Sequence, residues 1–335
     1  MLAGCGDGAG PPVRVIIPAG VGFRAVADSL ERAGLVSLPR AFGLYAKARR
    51  LDRRVKSGTY ILRRGSSWNR ILDALAIGRG MVRSVTIPEG WSISQIVPQL
   101  SRALNLPVDS LEAAVRDTAL RRELDVPTAT VEGYLFPETY LFPVGTSARA
   151  AIRRMVDEFE KRWTPEWDDR ARALAMSRND IMALAAIIEK EARIPEERPV
   201  ISAVYHNRLK KGMLLQADPT VQYALGRHVA RVLYRDLEID SRYNTYRYKG
   251  LPPGPIASPG APSIDAALHP ADVPYLYFVA HPDGHHEFRT TFSEHVKAVA
   301  LMKAAARALT RRAASDSAAR GLRPGAAPTG PRTRR

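Results

Sequence analysis

The stretch IIEKEARIPEERPVISAVYHNRL, from Ile187 to Leu209, places four glutamates at the end of an apolar segment. Two of them, Glu189 and Glu191, lie in the last turn of the helix that this segment predicts. A carboxyl group that is partly withdrawn from water has a raised pKa and can keep its proton near neutral pH. General acids are made in this way, so the orientation of the two glutamates matters.

The start of this helix is marked upstream. Ser177 and Asp180 have the spacing of a capping box, and the apolar run that follows them is too long for an ordinary strand. Together they predict a helix over about 179–193, followed by a second helix through 201–209 that ends at a basic turn and Gly212.

The helical period then separates the two glutamates. At 100° per residue, Glu191 lies about 20° from Leu184 and continues the apolar stripe, whereas Glu189 points well away from it. We therefore expect Glu191 to be half-buried and Glu189 to be dispensable for any chemistry. The geometry alone leaves two interpretations of Glu191 open, because a perturbed glutamate also occurs in structural ion pairs, here with Arg193 or Arg198.

The composition limits the class of protein. The 335 residues are 45% hydrophobic and 25% charged, which is typical of a soluble globular protein of about two domains. The net charge is +16, and residues 311–335 contribute seven arginines against one aspartate. Such a basic protein suits a polyanionic partner, either nucleic acid, an acidic membrane surface or the bacterial cell wall. No zinc finger, RNP motif or P-loop accompanies the charge, so we do not expect nucleic-acid binding.

The single cysteine, Cys5, excludes an intramolecular disulfide framework and a multi-cysteine metal site. The residues around it, MLAGC, end as bacterial lipoprotein signals do, but no basic and apolar regions precede them and no run of 18 apolar residues offers a membrane span. Two interpretations stay open. Either the pattern is a coincidence, or translation starts upstream and residues 1–12 are the stub of a missing anchor.

A strand, a glycine turn and an amphipathic helix recur three times in the first 100 residues. The repeats are PAGVGFRAVADSL (18–30), RRGSSWNRILDAL (63–75) and PEGWSISQIVPQL (88–100). Gly20, Gly65 and Gly90 occupy the same position in each. Small modules of this kind occur in carbohydrate-binding folds such as LysM, and a plain α+β scaffold is the alternative.

Further segments complete the organisation of the chain. VEGYLFPETYLFPVG, from Val131, predicts an extended aromatic ledge that either stacks on sugar rings or closes a core, with Phe136 and Phe142 expected in the core. Residues 100–126 and 148–175 predict helices, and Asp283-Gly284 predicts a hairpin turn. The Gly- and Pro-rich segment from Tyr243 predicts a long functional loop.

Other chemistries find little support in the sequence. Four histidines fall within 15 positions, His281, His285, His286 and His295, but they flank a hairpin and form no HExxH pair, so we expect no metal. No GxSxG elbow is present, and Cys5 lies near the chain end. What is left is a partly buried glutamate beside a loop rich in Tyr, Asn and Thr, residues that stack on sugar rings and bind hydroxyl groups.

The motifs IIEKEA, VYHNRL, LLQADPTVQYALG, YNTYRYKGLPPGPIASPG and AALHPADVPYLYFVA, in this order, resemble those of the endolytic murein transglycosylases of the YceG-like family. The resemblance runs from about Val13 to Leu309. It implies an α+β fold with a LysM-like α/β repeat region at 13–125, a mixed α+β catalytic domain at 126–310 and a disordered basic tail at 311–335. It also implies a place on the outer face of the cytoplasmic membrane, held by an anchor that these residues lack.

The resemblance further implies cleavage of the MurNAc-β-1,4-GlcNAc bond within nascent glycan strands, leaving 1,6-anhydroMurNAc ends and terminating elongation, without a cofactor. Glu191 matches the catalytic glutamate of the family. Peptidoglycan is then the substrate and peptidoglycan synthases are the expected partners. Our candidates for substrate contact are Asn207, Gln216, Asp218, Tyr243, Asn244, Thr245, Tyr134 and Glu138. The alternative function is a non-catalytic wall-binding module that recruits synthases.

Overall fold

The computed structural model describes residues 9–226, 232–281 and 283–304. Cys5 and the tail at 311–335 lie outside the described residues, so the interpretations of both remain predictions. Two compact units can be distinguished by their internal packing. The first comprises Met1–Ala186 with Pro253–Ala261, and the second comprises Ile187–Pro252 with Pro262–Arg335. The predicted boundary at 125/126, between a LysM-like region and a catalytic domain, stays a prediction.

The three predicted glycine turns are present in the first unit. Gly20, Gly65 and Gly90 have φ values of 73°, 75° and 72°, a left-handed conformation that glycine adopts without the steric cost that a Cβ imposes. The elements around these turns are β1 (Pro12–Ile17), α1 (Phe23–Arg32), α2 (Pro39–Ala48), β2 (Gly58–Arg63), α3 (Trp68–Ile77), β3 (Met81–Thr86) and α4 (Ile93–Leu104). Each of these glycine turns thus follows a strand and precedes a helix, and the LysM-like interpretation of the region stays a prediction.

A fourth strand, β4 (Thr139–Pro143), completes an antiparallel sheet in the order β1-β2-β3-β4. It comes from the aromatic segment that the sequence predicts as extended. Tyr140 pairs with Val85 and Phe142 pairs with Arg83, and both aromatic rings are buried. Of the two roles considered for this segment, closing a core is the one that the structure shows for these rings.

The remaining elements follow in chain order. They are α5 (Val108–Arg116), α6 (Thr118–Glu123), α7 (Ala148–Arg162), α8 (Pro165–Ala173), α9 (Arg178–Glu191), a 3-10 helix (Pro195–Glu197), α10 (Arg198–Lys210), α11 (Asp218–Ala224), a 3-10 helix (Tyr234–Glu238), α12 (Ala261–Leu268), β5 (Tyr277–Ala280), β6 (His286–Arg289) and a helical stretch over 292–304. β5 and β6 pair antiparallel around the predicted hairpin turn.

Two predicted helices are interrupted. The one predicted over 148–175 divides into α7 and α8, because Pro165 has no N–H to continue α7 and instead begins α8, which the Thr164 side chain caps. The region 100–126 holds the end of α4, then α5 and α6. α4 ends at Leu104, and its C-cap residue Asn105 has a φ of 56°. The Asp117 carboxylate caps α6 through two backbone N–H groups.

Helix α9 begins as predicted. The backbone N–H of Ser177 donates to the Asp180 carboxylate at 2.9 Å, and the backbone N–H of Asp180 donates to the Ser177 hydroxyl at 3.1 Å. Each residue from Ile181 to Ile188 is fully buried. A helix that is apolar on all sides is buried on all sides, so α9 has no solvent face opposite its apolar stripe.

Within the described residues, no helix combines the length and the apolar character needed to cross a bilayer.

Gly133→Ala tests the packing of the first unit. Gly133 has a φ of 79°, and an added Cβ would overlap the ring of Pro255. Gly65 has nearly the same φ, 75°, but an added Cβ there meets nothing within 4 Å. Backbone strain costs both variants about 1–2 kcal/mol. We expect urea denaturation to show a further loss of about 1–3 kcal/mol in Gly133→Ala alone, the usual cost of overpacking. Equal losses in the two variants would show that Pro255 moves aside freely.

Candidate functional site

Glu191 is the last residue of α9 and lies in the second unit. Its side chain is half-buried, as the sequence predicts. The hydroxyl group of Tyr205, which lies on α10 and is buried, donates a hydrogen bond to Oε1 of Glu191 at 3.2 Å. One carboxyl oxygen is thereby used as an acceptor, and the other is left to carry the proton of the neutral form.

Four influences set the protonation of Glu191. Burial raises its pKa most, since the charged form loses hydration, and the negative charge of Asp218 raises it further. The hydrogen bond from Tyr205 and the positive charge of Arg208 act in the opposite direction by stabilising the carboxylate. The result is a pKa raised from 4.5 to about 7. Glu191 can therefore release or accept a proton at small cost near neutral pH.

Arg208 is a buried cation that the protein's own backbone holds in place. Its Nε donates to the carbonyl of Leu276 and one terminal nitrogen donates to the carbonyl of Leu215, both at 2.7 Å. Its guanidinium also lies over the ring of Tyr277, 5.2 Å from the centroid. Arg208 lies three positions after Tyr205, so both project from the same side of α10. This side of α10 therefore supplies both groups that favour the charged form of Glu191.

Asp218 begins α11 and is exposed. The half-buried Tyr246 donates its hydroxyl hydrogen to Oδ1 of Asp218 at 2.5 Å. Burial and this hydrogen bond raise the pKa of Tyr246, which stays protonated and keeps donating. Asp218 is thus the predicted contact residue that the structure links electrostatically to Glu191.

Asn244 and Thr245 form the framework of the loop, and their role as substrate contacts stays a prediction. Both side chains are buried. The Asn244 amide donates to the carbonyls of Leu237 and Ile239, and its oxygen accepts from the backbone N–H of Tyr246. The Thr245 hydroxyl accepts from a backbone N–H and bonds to the hydroxyl of Thr220. A loop this poor in regular structure satisfies its backbone groups through such side chains.

Asn207 has a similar structural role, and Asn207 as a substrate contact also stays a prediction. Its amide donates to the carbonyls of Val273 at 2.8 Å and Tyr275 at 3.0 Å, which uses both of its hydrogens. Gln216 and Tyr243 are less buried than the framework residues Asn244 and Thr245. Gln216 is exposed, with a φ of 52°, and Tyr243 is half-buried with its ring 4.8 Å from that of Tyr223.

Tyr134 and Glu138 lie in the first unit. Tyr134 is 1% exposed, its hydroxyl donates to Asn179 and its ring packs edge-on against Phe159. These contacts are structural, and Tyr134 as a substrate contact stays a prediction. Glu138 is exposed and forms an ion pair with Arg162 at 3.1 Å. Glu138 as a contact stays a prediction.

Glu189 does not face solvent, contrary to the prediction. Its side chain is 9% exposed, and its carboxylate accepts a hydrogen bond from Ser263 and lies 3.9 Å from Arg198. The prediction from the helical period failed because α9 is buried on all sides over 181–188, and Glu189 directly follows this segment. Arg198, considered as an ion-pair partner of Glu191, lies against Glu189 instead.

The histidines of the predicted hairpin contact different carboxylates. His281 lies 3.0 Å from Glu287 and stacks on His285, which contacts Asp283. His286 is buried and lies 2.6 Å from Glu197. Burial lowers the pKa of His295. Across 9–226, 232–281 and 283–304, no group of three or more His, Cys, Asp or Glu residues could hold a metal ion.

Sequence reasoning missed three residues of this site: Tyr205, Arg208 and Tyr246. A signal for the first two was present, since a tyrosine and an arginine three positions apart in the apolar context of VYHNRL predict one polar row on a buried helix. Tyr246 had no such signal, because the direction of a loop side chain cannot be obtained from periodicity.

The comparisons with known proteins agree on one family. The model of the YceG-like family matches residues 15–301. The endolytic murein transglycosylase of Bacillus subtilis is 36% identical over 302 residues, covering 85% of this chain and 83% of that protein. That of Streptococcus pneumoniae is 30% identical over 299 residues and covers 80% of this chain, which spans 54% of the pneumococcal protein. The crystal structure of a YceG-like protein from Listeria monocytogenes superposes with a TM-score of 0.61 at 32% identity, covering 86% of this chain and 99% of that one.

Two substitutions should move the pKa of Glu191 in opposite directions. Asp218→Asn removes a negative charge that raises this pKa, so we expect the value to fall below about 7. Tyr205→Phe removes a hydrogen bond to the charged form, so we expect it to rise. NMR titration of carboxyl-labelled glutamate measures both shifts. Shifts of the same sign would contradict the balance described here.

Asn244→Ala should destabilise the fold. It removes three buried hydrogen bonds and leaves backbone groups unpaired, which costs about 2–4 kcal/mol. The control, Lys249→Ala, changes an exposed side chain of the same loop and should stay within about 0.5 kcal/mol of wild type. Denaturant unfolding compares the two. An unchanged stability of Asn244→Ala would contradict the framework role of Asn244.

Proposed function

The chain belongs to the YceG-like family, and we propose that it is an endolytic murein transglycosylase that cuts the MurNAc-β-1,4-GlcNAc bond within peptidoglycan glycan strands. The observation that carries this proposal is the half-buried carboxyl group of Glu191 with a pKa of about 7. Glycosidic cleavage needs a proton donor at the leaving oxygen, and Glu191 has the acidity required at neutral pH.

In the first step, neutral Glu191 gives its proton to the glycosidic oxygen. The bond from that oxygen to C1 of MurNAc breaks, and positive charge develops at C1. The new carboxylate is stabilised by the hydrogen bond from Tyr205 and by the positive charge of Arg208. Since both groups are held in place before the reaction, they stabilise the negative charge of Glu191 without reorganisation.

In the second step, the 6-hydroxyl group of the same MurNAc attacks C1, and the Glu191 carboxylate takes the hydroxyl proton. The bond from O6 to C1 forms a 1,6-anhydro ring, and Glu191 returns to its neutral state. No water is consumed, so the reaction is that of a lyase. One glutamate serves both steps because the nucleophile belongs to the substrate.

Three residues are proposed to contact the glycan near Glu191. Gln216 and Asp218 are exposed on the segment that leads into α11, and the half-buried ring of Tyr243 offers a face for stacking. Asp218 would also favour the positive charge at C1. Glu138, which lies in the first unit, is a further candidate for contact with the glycan.

The wider setting follows from the substrate. Peptidoglycan lies outside the cytoplasmic membrane, so we propose that the protein acts in the cell envelope, on the outer face of that membrane. The glycine-turn repeat supports a LysM-like role of 13–125 in holding glycan. Cleavage within nascent strands would terminate their elongation, which makes peptidoglycan synthases the expected partners.

Glu191→Gln tests the proposal. The amide keeps the shape of the carboxyl group but has no acidic proton, so we expect strand cleavage to fall by at least about a hundredfold. Glu196→Gln, which changes an exposed glutamate five residues away, should stay near wild type. Gel filtration of digested glycan strands measures both activities.

The same variants separate an enzyme from a binding module. If wild-type protein binds peptidoglycan sacculi but releases no fragments, the non-catalytic alternative replaces this proposal. Equal cleavage by Glu191→Gln and wild type would remove Glu191 from the catalytic role.

A further inference from the structure

A buried polar cluster lies beside Glu191 and takes no direct part in the proposed chemistry. It consists of Glu189, Arg198 and Ser263. The Ser263 hydroxyl donates to Oε2 of Glu189 at 2.7 Å, and Nε of Arg198 donates to the Ser263 oxygen at 3.1 Å. A terminal nitrogen of Arg198 lies 3.9 Å from Oε1 of Glu189. Ser263 is fully buried, and the other two side chains are 9% and 14% exposed.

The direction of these hydrogen bonds is fixed by chemistry. Arginine can only donate, so the Ser263 oxygen must accept from Arg198. The single hydrogen of the Ser263 hydroxyl is then directed at Glu189. Ser263 therefore connects an anion and a cation whose direct contact is long, and removal of its hydroxyl disconnects the cluster.

The cluster joins three helices next to the proposed acid. Glu189 lies in the last turn of α9, two residues before Glu191, while Arg198 begins α10 and Ser263 lies in the first turn of α12. The segment that follows Glu191 is also held. The Glu197 carboxylate accepts the backbone N–H of His286 at 2.9 Å and lies 2.6 Å from its ring nitrogen. The turn that carries Glu191 is thus fixed on both sides.

Stability alone gives little reason for such a cluster. A buried ion pair is a weak stabiliser, because the desolvation of its two charges offsets most of their attraction. Its benefit is a defined geometry. That geometry matters at Glu191, since a misplacement of about 1 Å at a reacting group can cost about a hundredfold in rate.

We propose that Ser263 and Glu189 are positioning residues, which hold the end of α9 so that the Glu191 carboxyl group stays against Tyr205 and within its buried site. This role rests on the proposed function of Glu191. Neither residue touches substrate, since both side chains are at least nine-tenths buried and directed at Arg198 and each other.

Ser263→Ala removes the central hydroxyl with little change in volume. We expect kcat on glycan strands to fall about 10- to 100-fold with KM within about threefold, because geometry rather than binding is lost. A Glu191 carboxyl group released from its site becomes better hydrated, so the pKa seen in the kcat profile should fall from about 7 toward 4.5. Glu189→Gln, which weakens the attraction of Arg198, should change both quantities in the same direction.

Ser202→Ala is the matched control. Ser202 is fully buried on α10, and its hydroxyl has no hydrogen-bond partner among the described residues. This variant also loses a buried hydroxyl, but we expect wild-type kcat and an unchanged pH profile. Circular dichroism at the assay temperature measures the folded fraction of each variant.

Two results of the activity assays would overturn the positioning role. In one, kcat and its pH profile stay unchanged in Ser263→Ala. In the other, the loss of activity in Ser263→Ala and Glu189→Gln equals the loss of folded protein. NMR titration of Glu191 keeps this test separate from the proposed function. If wild-type protein cleaves no strands, the function fails, whereas an unchanged Glu191 titration in folded Ser263→Ala refutes the positioning role.

Discussion

A single carboxyl group can serve as acid and then as base only if its two protonation states are nearly equal in free energy at the working pH. At Glu191 this balance is set by burial and Asp218 on one side and by Tyr205 and Arg208 on the other. A fully exposed glutamate would be a carboxylate at pH 7, and one buried without partners would hold its proton too tightly. The architecture of the second unit supplies both pairs of influences.

The polar residues of this unit divide into two sets. Asn207, Asn244 and Thr245 use their hydrogen-bonding groups on the protein's own backbone and shape the loop and the hairpin. Gln216 and Asp218 are exposed and have side chains that a glycan can reach. Residues of the types that bind sugars therefore have two different roles in this unit, as framework and as candidate glycan contacts. The burial of each side chain distinguishes the two roles. The framework set keeps Tyr246 in place to bond Asp218.

Local sequence signals predicted the local structure well. The turn glycines, the Ser177 and Asp180 capping box and the hairpin at Asp283-Gly284 depend on residues close in the chain, and each is present. The contacts around the site were harder to predict from the sequence. The helical period predicted the half-buried position of Glu191 correctly but that of Glu189 wrongly. Glu189 contacts Arg198 and Ser263, which lie on other helices, and the periodicity of one helix cannot reveal such contacts. The family resemblance, carried by the linked motifs, predicted a catalytic role for Glu191 but gave no means to tell framework from contact residues.

The central claim is that Glu191 alone transfers the proton and that water does not attack C1 of MurNAc when the glycosidic bond breaks. Digestion of glycan strands in water enriched in 18O, followed by mass spectrometry of the fragments, tests it directly. The account predicts fragments that end in anhydroMurNAc, lighter than the hydrolysed products by the mass of one water molecule, and free of 18O. Reducing ends that carry one 18O atom would contradict it, since water would then be the nucleophile and Asp218 the carboxylate placed to activate it.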